Sequence, residues 1–226
     1  MLSRRQLLGG LLASGVAGCA SDPNSTFNLF SKTITSKGRS AGDYPLSAAQ
    51  IHDIPYATLG VRIGSNPRAV VVLATAEGET LSWVSADRVT FVTHGGWLLR
   101  THGLQRDLAA TRWQPMAEED PLRAYAQTGV LPQPGGYREI DLGHADEHGI
   151  AVESRFEAGK DETIVIQGRE RLTRRIDEIA IMHSWRWKTR NSFWVDPQSG
   201  QVWRSVQQYC PEMPPIELEV LKPAAI

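Results

Sequence analysis

Two short polar segments hold the side chains that could do chemistry together. Gly143–Gly149 places two imidazoles and two carboxylates close together, and such groups bind zinc and other divalent cations. A metal site also needs a rigid, supported cage, whereas a glycine-flanked polar heptapeptide is typical of a solvated turn. Glu118–Asp120 resembles half of a glycosidase carboxylate pair, but beside Pro121 these acids suit the start of a helix. We therefore predict no metal site and no catalytic residues.

The sequence also lacks the motifs of several common enzyme classes. It has no nucleophile elbow, no paired cysteine set, no phosphate-binding loop and no His-Glu-x-x-His segment. We therefore predict a protein that is not an enzyme and that has no cofactor.

Tryptophan and arginine on predicted strands offer a different chemistry, the binding of sugars. The chain has seven tryptophans, and an indole face packs against the apolar face of a pyranose much as it packs in a core. The planar fork of arginine binds anionic sugars or phosphates. For each tryptophan a place in the sheet core is the alternative, and for each arginine a solvated or ion-paired position. The candidate contacts to a glycan or partner protein are Arg62, Trp83, Arg100, Trp185, Arg186, Trp187 and Arg204.

A large sheet must position these side chains. From Ile54 to Leu108, five apolar runs follow one another with short polar or glycine turns between them, which predicts a β-meander. Strands resume at Arg138, and the clearest hairpin is Asn191–Gln207 with its turn at Asp196–Gly200. The predicted fold class is all-β: a large antiparallel meander that forms a partly open barrel or sandwich, with one or two short helices.

The local patterns also predict individual elements. Leu104–Ala109 suggests a helical excursion, and Ile150–Glu157 and Glu162–Gln167 suggest two strands joined by a turn. Arg171–Lys188 predicts one long bent strand with Trp185 and Trp187 on one face, although near-helical apolar spacing keeps a helix as the alternative. Ile216–Leu221, flanked by prolines, predicts a last strand at a sheet edge.

Two short helices are expected outside the strands. Ser47 is a suitable N-cap for a helix that Pro55 ends. Asp120 caps a second helix, with proline in its first turn, that runs to Gln127 before Gly129.

The N-terminus predicts an export signal. Two arginines at the start, the apolar run Leu7–Val16 and the segment Ala17-Gly18-Cys19 match a bacterial lipoprotein signal, whose cysteine is cut free and acylated. The apolar run is shorter than the roughly 20 residues that span a bilayer. Ser3–Leu8 is also similar to a twin-arginine signal, so the export route stays open. Alanine at position 20, by resemblance to enterobacterial sorting, favours the outer membrane.

These features divide the chain into three parts. Residues 1–18 are the predicted signal peptide, residues 19–43 a polar, flexible tether that begins at the lipidated Cys19, and residues 44–226 a single β domain. Removal of the signal leaves 22 basic residues against 25 acidic ones, so no excess of positive charge favours nucleic acid. Cys210 then has no partner for an internal disulfide, and stability must come from burial.

Several segments carry a resemblance to a known family. The chain from Tyr44 to Pro223 resembles the YjbF/GfcB family of capsule and exopolysaccharide lipoproteins in the order and spacing of these segments. The resemblance implies an outer-membrane lipoprotein encoded with polysaccharide export machinery, a large antiparallel meander and no catalytic residue to carry over. The segments that match are Ile54–Gly64, Leu81–Asp87, Arg100–Leu104, Asn191–Gln207 and Leu221–Pro223.

Three functions are compatible with this sequence. The first is a non-enzymatic accessory factor in capsule or exopolysaccharide secretion or assembly, held at the periplasmic face of the outer membrane by Cys19. Its partners would be the polysaccharide and an outer-membrane β-barrel or export protein of the same system. The second is a periplasmic lipid or glycolipid carrier with a hydrophobic cavity, since Trp194–Gly200 is weakly similar to carrier half-barrels. The third is a carbohydrate-active enzyme, which would need facing carboxylates about 5 to 10 Å apart.

Overall fold

The computed structural model describes residues 45–113, 120–131, 136–143 and 147–225. The predicted signal peptide and the tether with Cys19 lie outside the described residues. So do Glu118, Glu119 and three residues of the polar segment Gly143–Gly149.

In this described part, twelve strands form one antiparallel sheet that curls into a nearly closed barrel. The predicted fold class is confirmed. From edge to edge the order is β5-β4-β3-β2-β1-β12-β11-β10-β9-β8-β7-β6. The strands are β1 Thr58–Ile63, β2 Ala69–Glu77, β3 Thr80–Val84, β4 Thr90–His94, β5 Trp97–His102, β6 Leu108–Trp113, β7 Tyr137–Leu142, β8 Ile150–Ile166, β9 Arg169–Met182, β10 Trp187–Val195, β11 Val202–Gln207 and β12 Ile216–Lys222.

The sheet consists of two meanders joined at its centre by β12. This strand pairs with β1 on one side and with β11 on the other. The prediction that Ile216–Leu221 is an edge strand is therefore wrong. The prolines that suggested an edge, Pro214, Pro215 and Pro223, lie just outside the paired residues, so none of them removes a ladder hydrogen bond. The edges are instead β5 and β6, which follow each other in sequence.

Both predicted helices are present and capped as the sequence indicates. Helix α1, Ala48–Asp53, has a capping box in which Ser47 and Gln50 each bond the other's backbone. Helix α2, Pro121–Thr128, has Asp120 as its N-cap, whose side chain accepts from the Leu122 N–H, and Gly129 in the left-handed conformation as its C-cap. Within the described ranges, no helix combines the length and apolar character that crossing a membrane requires.

Two predicted boundaries in the sheet are wrong because the partner strand decides them. Leu108–Trp113 is strand β6 rather than part of a helix, and it pairs with β7 from Leu108↔Leu142 to Trp113↔Arg138. Ile150–Ile166 is one continuous strand instead of two. A β-bulge between Ala158 and Asp161 absorbs the residues that resembled a turn. A Cβ at Gly159 would lie 2.8 Å from Arg175, so the bulge requires glycine there.

The segment Arg171–Lys188 is neither one strand nor a helix. Strand β9 ends at Met182, a 3-10 helix spans His183–Trp185, and β10 returns antiparallel from Trp187. Arg186 ends the 3-10 helix with φ 51, so the chain reverses without the glycine or proline that marks most tight turns. The expectation that Trp185 and Trp187 share one strand face is therefore wrong.

Side chains fill the barrel interior. The main core joins residues of nearly every strand, among them Leu59, Trp83, Leu142 and Ile216. A second cluster packs α2 against Phe156, Ile176, Phe193 and Val195. Two smaller clusters complete the core. One contains Ile51 and Ile54 at α1, and the other contains Ile164, Ile166 and Trp203. Leu221 packs against both clusters.

Candidate functional site

An open cleft of about 190 Å³ lies between three turns of the sheet. We call it the turn cleft. Its walls come from the β2–β3 turn with Glu79, the β4–β5 turn Gly95–Gly96 and the β10–β11 turn with Ser199 and Gly200, while Arg123 approaches from α2. The residues that line it are Leu59, Glu79, Leu81, Trp83, Thr93, Gly95, Gly96, Arg123, Ser199, Gly200, Gln201, Val202, Trp203, Arg204, Ser205, Leu218 and Val220.

Close packing fixes the β4–β5 turn that forms one wall. Gly96 has φ 93, and a Cβ there would lie 2.5 Å from Val202 of β11. The Gly96 carbonyl accepts from Gln207 Nε2 at 2.9 Å, and the Leu98 N–H donates to Gln207 Oε1 at 3.0 Å. The wall is therefore held to the far side of the barrel by hydrogen bonds.

Asp120 holds the same turn from the other side. Its carboxylate accepts from the Leu122 N–H at 2.9 Å and from Trp97 Nε1 at 3.3 Å. Burial raises the pKa of the Asp120 carboxyl, and these hydrogen bonds oppose that shift. The predicted acidic helix start is confirmed at Asp120, where the acid has a structural role.

Two tryptophans line the turn cleft, and both are mostly covered. Trp83 is 2% exposed and donates from Nε1 to Thr93 Oγ1 at 2.9 Å. Trp203 is 8% exposed, and the Arg171 guanidinium lies 3.6 Å from the centre of its ring. Trp83 is thus part of the main core at the bottom of the cleft, and Trp203 is covered by Arg171 of the β8–β9 hairpin.

The charged groups of the turn cleft are already paired. Arg123 forms an ion pair with Glu79, and His94 Nε2 lies 3.9 Å from the same carboxylate. Arg204 donates to Glu219 Oε1 at 3.3 Å and to the Val165 carbonyl at 3.4 Å. The cleft therefore presents apolar walls with a neutralised polar rim, an arrangement that suits binding.

A ladder of ion pairs covers part of the outer face of β1, β11 and β12. Arg62 Nε donates to Glu217 Oε2 at 3.0 Å, and Arg68 reaches both Glu217 and Glu219. The Glu219 side chain is only 3% exposed, and its charge is balanced by Arg68 and Arg204, which both pair with it. We call these five residues the arginine–glutamate ladder.

The seven candidate contacts do not form one site. Arg62 and Arg204 meet in the arginine–glutamate ladder, and Trp83 and Arg204 both line the turn cleft. Arg100 is exposed on the edge strand β5. Trp185, Arg186 and Trp187 lie at the reversal between β9 and β10, where both tryptophans are half-buried against the main core.

Sequence reasoning missed Glu79, Arg123 and Arg171. The Asp120-Pro121 cap placed Arg123 on a short helix, but nothing in the sequence indicates its pairing with Glu79, which is 44 residues away. Arg171 begins a segment whose structure the sequence predicts wrongly, so its contact with Trp203 could not be predicted. Among the described residues, no group of three or more His, Cys, Asp or Glu side chains forms a potential metal site.

Comparison with known proteins gives matches over most of the chain. A family model described as group 4 capsule polysaccharide lipoprotein gfcB, YjbF matches residues 29–221. The lipoprotein GfcB of Escherichia coli K12 is 29% identical over 222 residues, which are 97% of this chain and 99% of that protein. The lipoprotein YjbF of the same strain is 27% identical over 180 residues, 79% and 81% of the two chains.

A solved structure is similar as well. The crystal structure of the hypothetical lipoprotein YmcC from Escherichia coli K12 matches with a TM-score of 0.69 and 29% sequence identity, over 88% of this chain and 94% of that one. Sequence and fold therefore agree, and the chain belongs to the YjbF family of group 4 capsule polysaccharide lipoproteins.

Proposed function

We propose that this lipoprotein is a non-enzymatic accessory factor in the secretion or assembly of a capsule or exopolysaccharide, held by lipid on Cys19 at the periplasmic face of the outer membrane. The observation that supports the proposal is the turn cleft, an open recess with apolar walls and a neutralised rim. The family description supports the link to capsule polysaccharide. The partners that fit are the polysaccharide itself and an outer-membrane β-barrel or export protein of the same system.

The packing of the barrel favours this function over a lipid carrier. A carrier needs an apolar cavity large enough for acyl chains, and small-molecule sites usually measure roughly 300–1,000 Å³. The turn cleft has about 190 Å³ and is open to solvent. Core side chains such as Leu142, Met182 and Ile216 occupy the interior where a carrier would hold its cargo.

The charges of the turn cleft favour binding over hydrolysis. A glycosidase places two carboxyl groups on opposite sides of the bond that it cuts. Among the described residues that line the turn cleft, Glu79 is the single acid, and it is paired with Arg123. The cleft therefore lacks the second carboxylate that this chemistry requires.

Deletion of the gene followed by complementation tests the proposal. The deletion strain should lose surface polysaccharide, and the wild-type gene should restore it. Ser199→Trp places an indole in the turn cleft and should restore as little polysaccharide as the empty vector. Gln198→Trp is the matched control, because Gln198 is exposed on the same turn and does not line the cleft. The complemented strains are compared at similar levels of the protein. Unchanged polysaccharide in the deletion strain would contradict the proposed function.

A further inference from the structure

A second open recess, of about 380 Å³, lies where the start of β7 and the first part of β8 meet the 3-10 helix. We call it the Tyr137–Trp185 groove. It shares no lining residue with the turn cleft. Its volume falls within the roughly 300–1,000 Å³ of small-molecule sites, and its open form leaves room for a chain that continues past it.

Two aromatic side chains line this groove. Tyr137 is 43% exposed, so its ring is accessible from the groove, and it pairs across the strands with Glu153. Trp185 is half-buried, so the main core holds part of the indole while the rest faces the groove. Its 3-10 helix ends at Arg186 in the left-handed conformation, which a non-glycine residue adopts only when the surrounding structure imposes it.

The polar groups between the aromatics are arranged around Glu153. His183 Nε2 lies 3.0 Å from Glu153 Oε2, and Arg155 Nε donates to Glu153 Oε1 at 2.7 Å. The hydrogen bond from His183, followed by that from Arg155, lowers the pKa of the Glu153 carboxyl, so the carboxylate is ionised at neutral pH. Each of its oxygens retains capacity for another donor. The His183 side chain is 75% exposed and is accessible to a ligand.

The local charge narrows the class of ligand. Glu147 of the same groove is paired with Arg106, and Glu153 with Arg155 and His183. Among the described residues that line the groove there is no lysine or arginine, so they offer no permanent cation to an anionic group. Aromatic side chains beside hydrogen-bond acceptors and donors match a neutral pyranose, which has apolar ring faces and hydroxyl groups at its edges.

We infer that the Tyr137–Trp185 groove binds a short run of uncharged sugar units within a polysaccharide chain. Tyr137 and Trp185 pack against the apolar ring faces, and Glu153 and His183 hydrogen-bond the hydroxyls. This inference rests on the proposed function for the presence of polysaccharide near the protein. It adds a site apart from the turn cleft, and Trp185 is the one glycan contact predicted from the sequence that lines it.

Titration of the full-length lipoprotein in detergent tests the site. The probe is the surface polysaccharide of the source bacterium, cut by mild acid into short oligosaccharides, and binding is followed by calorimetry. Tyr137→Ala should weaken binding by about tenfold, the loss expected when one stacking partner is removed. Ala151→Trp, at an exposed position that lines the groove, should block binding by filling it. Tyr56→Ala removes a tyrosine that is 54% exposed elsewhere and should bind like the wild type.

Two results would overturn the inference: no binding of the oligosaccharides by the wild type, or equal affinity of the wild type and both groove variants. Failure of the proposed function is distinguishable from these results. Normal surface polysaccharide in the deletion strain, together with weakened binding by Tyr137→Ala, would leave the groove as a sugar site and remove the secretion role. Loss of polysaccharide in that strain, together with unchanged binding by the groove variants, would support the secretion role and rule out the groove as a sugar site.

Discussion

Glu178 is a fully buried carboxylate in β9, and its neighbours explain how the core accepts a charge. Arg138 pairs with it, Ser154 donates to it, and Asn191 Nδ2 donates to its Oε2 at 2.7 Å. The Arg138 guanidinium also lies 5.5 Å from the ring centre of Trp97. Four strands, β7 to β10, are thereby joined by one polar network inside the barrel.

Removal of this carboxylate should destabilise the protein strongly. Glu178→Ala leaves the Arg138 charge buried without its acid, and breaking a buried pair in this way typically costs about 3–5 kcal/mol. Urea unfolding followed by circular dichroism measures the change. Glu157→Ala is the control, because this glutamate of β8 is largely exposed and its replacement should change stability by less than about 0.5 kcal/mol. Equal stability of the two variants would show that the network contributes nothing.

Asp141 should make stability depend on acid pH. Arg112 donates to both of its oxygens, at 2.6 and 2.8 Å, and the Gly149 N–H donates to one of them. The hydrogen bonds from Arg112, then that from Gly149, lower the pKa of this carboxyl below its usual range. A depressed folded-state pKa contributes stability that is present above the unfolded value of about 3.9 and is lost as the pH falls below it.

The variant Asp141→Asn removes that contribution. It should unfold more easily than the wild type at pH 7, and the difference between the two should shrink as the pH is lowered below about 4. Melting temperatures across this pH range measure the effect, with Asp53→Asn at an exposed position as the control. A constant difference across the whole range would contradict the assignment.

At the scale of elements, the β10–β11 hairpin shows why alternation is an incomplete guide. Phe193 and Val195 are fully buried and Trp194 is not, as the period of two predicts. Trp194 pairs with Arg204 and Val195 with Val202, which leaves Trp203 as the extra residue of a bulge. Trp203 and Arg204 consequently both contact the β8–β9 hairpin, where simple alternation would separate them.

This geometry assigns Arg204 a structural role. Arg204→Ala should lower stability by about 1–3 kcal/mol, because the nearly buried Glu219 then loses one of its donors. Alternation alone would predict little effect, since it turns Arg204 away from packed residues. Arg100→Ala, on an exposed position of β5, is the control and should be close to neutral. Chemical unfolding of the two variants decides between these expectations.

Helix ends can be predicted from the local sequence, whereas strand boundaries and some chain reversals cannot. Ser47, Asp120 and Gly129 mark helix ends through their own backbone and side-chain chemistry, so both helices were predictable. The run Leu104–Ala109 has no such markers, and only pairing with β7 makes its last two residues part of a strand. The reversal at His183–Trp185 lacks turn residues, so nothing in the local sequence distinguishes it from a continuous strand.

At the scale of the whole molecule, the fold class and the family were accessible from sequence, and the sites were not. The turn cleft combines Glu79, Arg123 and Ser199, which the closure of the barrel brings together. Such contacts depend on the pairing of strands that are distant in sequence, and a single sequence does not display that pairing. The Tyr137–Trp185 groove has the same origin, because β7, β8 and the 3-10 helix each supply part of it.

The anchor and the fold should be separable. Cys19→Ser is expected to release the protein from membranes and to leave its melting temperature unchanged, because the barrel is built from residues that follow position 57. Membrane fractionation and thermal unfolding measure the two effects. Failure of radiolabelled palmitate to enter the wild-type protein would contradict lipidation at this residue.

The central position of β12 has a consequence for biogenesis. While the chain is being made, β1 to β5 appear early, but the inner edge of this half of the sheet stays open until the partner of β1 arrives more than 150 residues later. An open strand edge is a template for aggregation, so the half-made sheet needs a chaperone or rapid completion of the chain. A nonsense mutation just before β12 would unpair β1 and β11 together and should yield a degraded polypeptide rather than a shortened barrel.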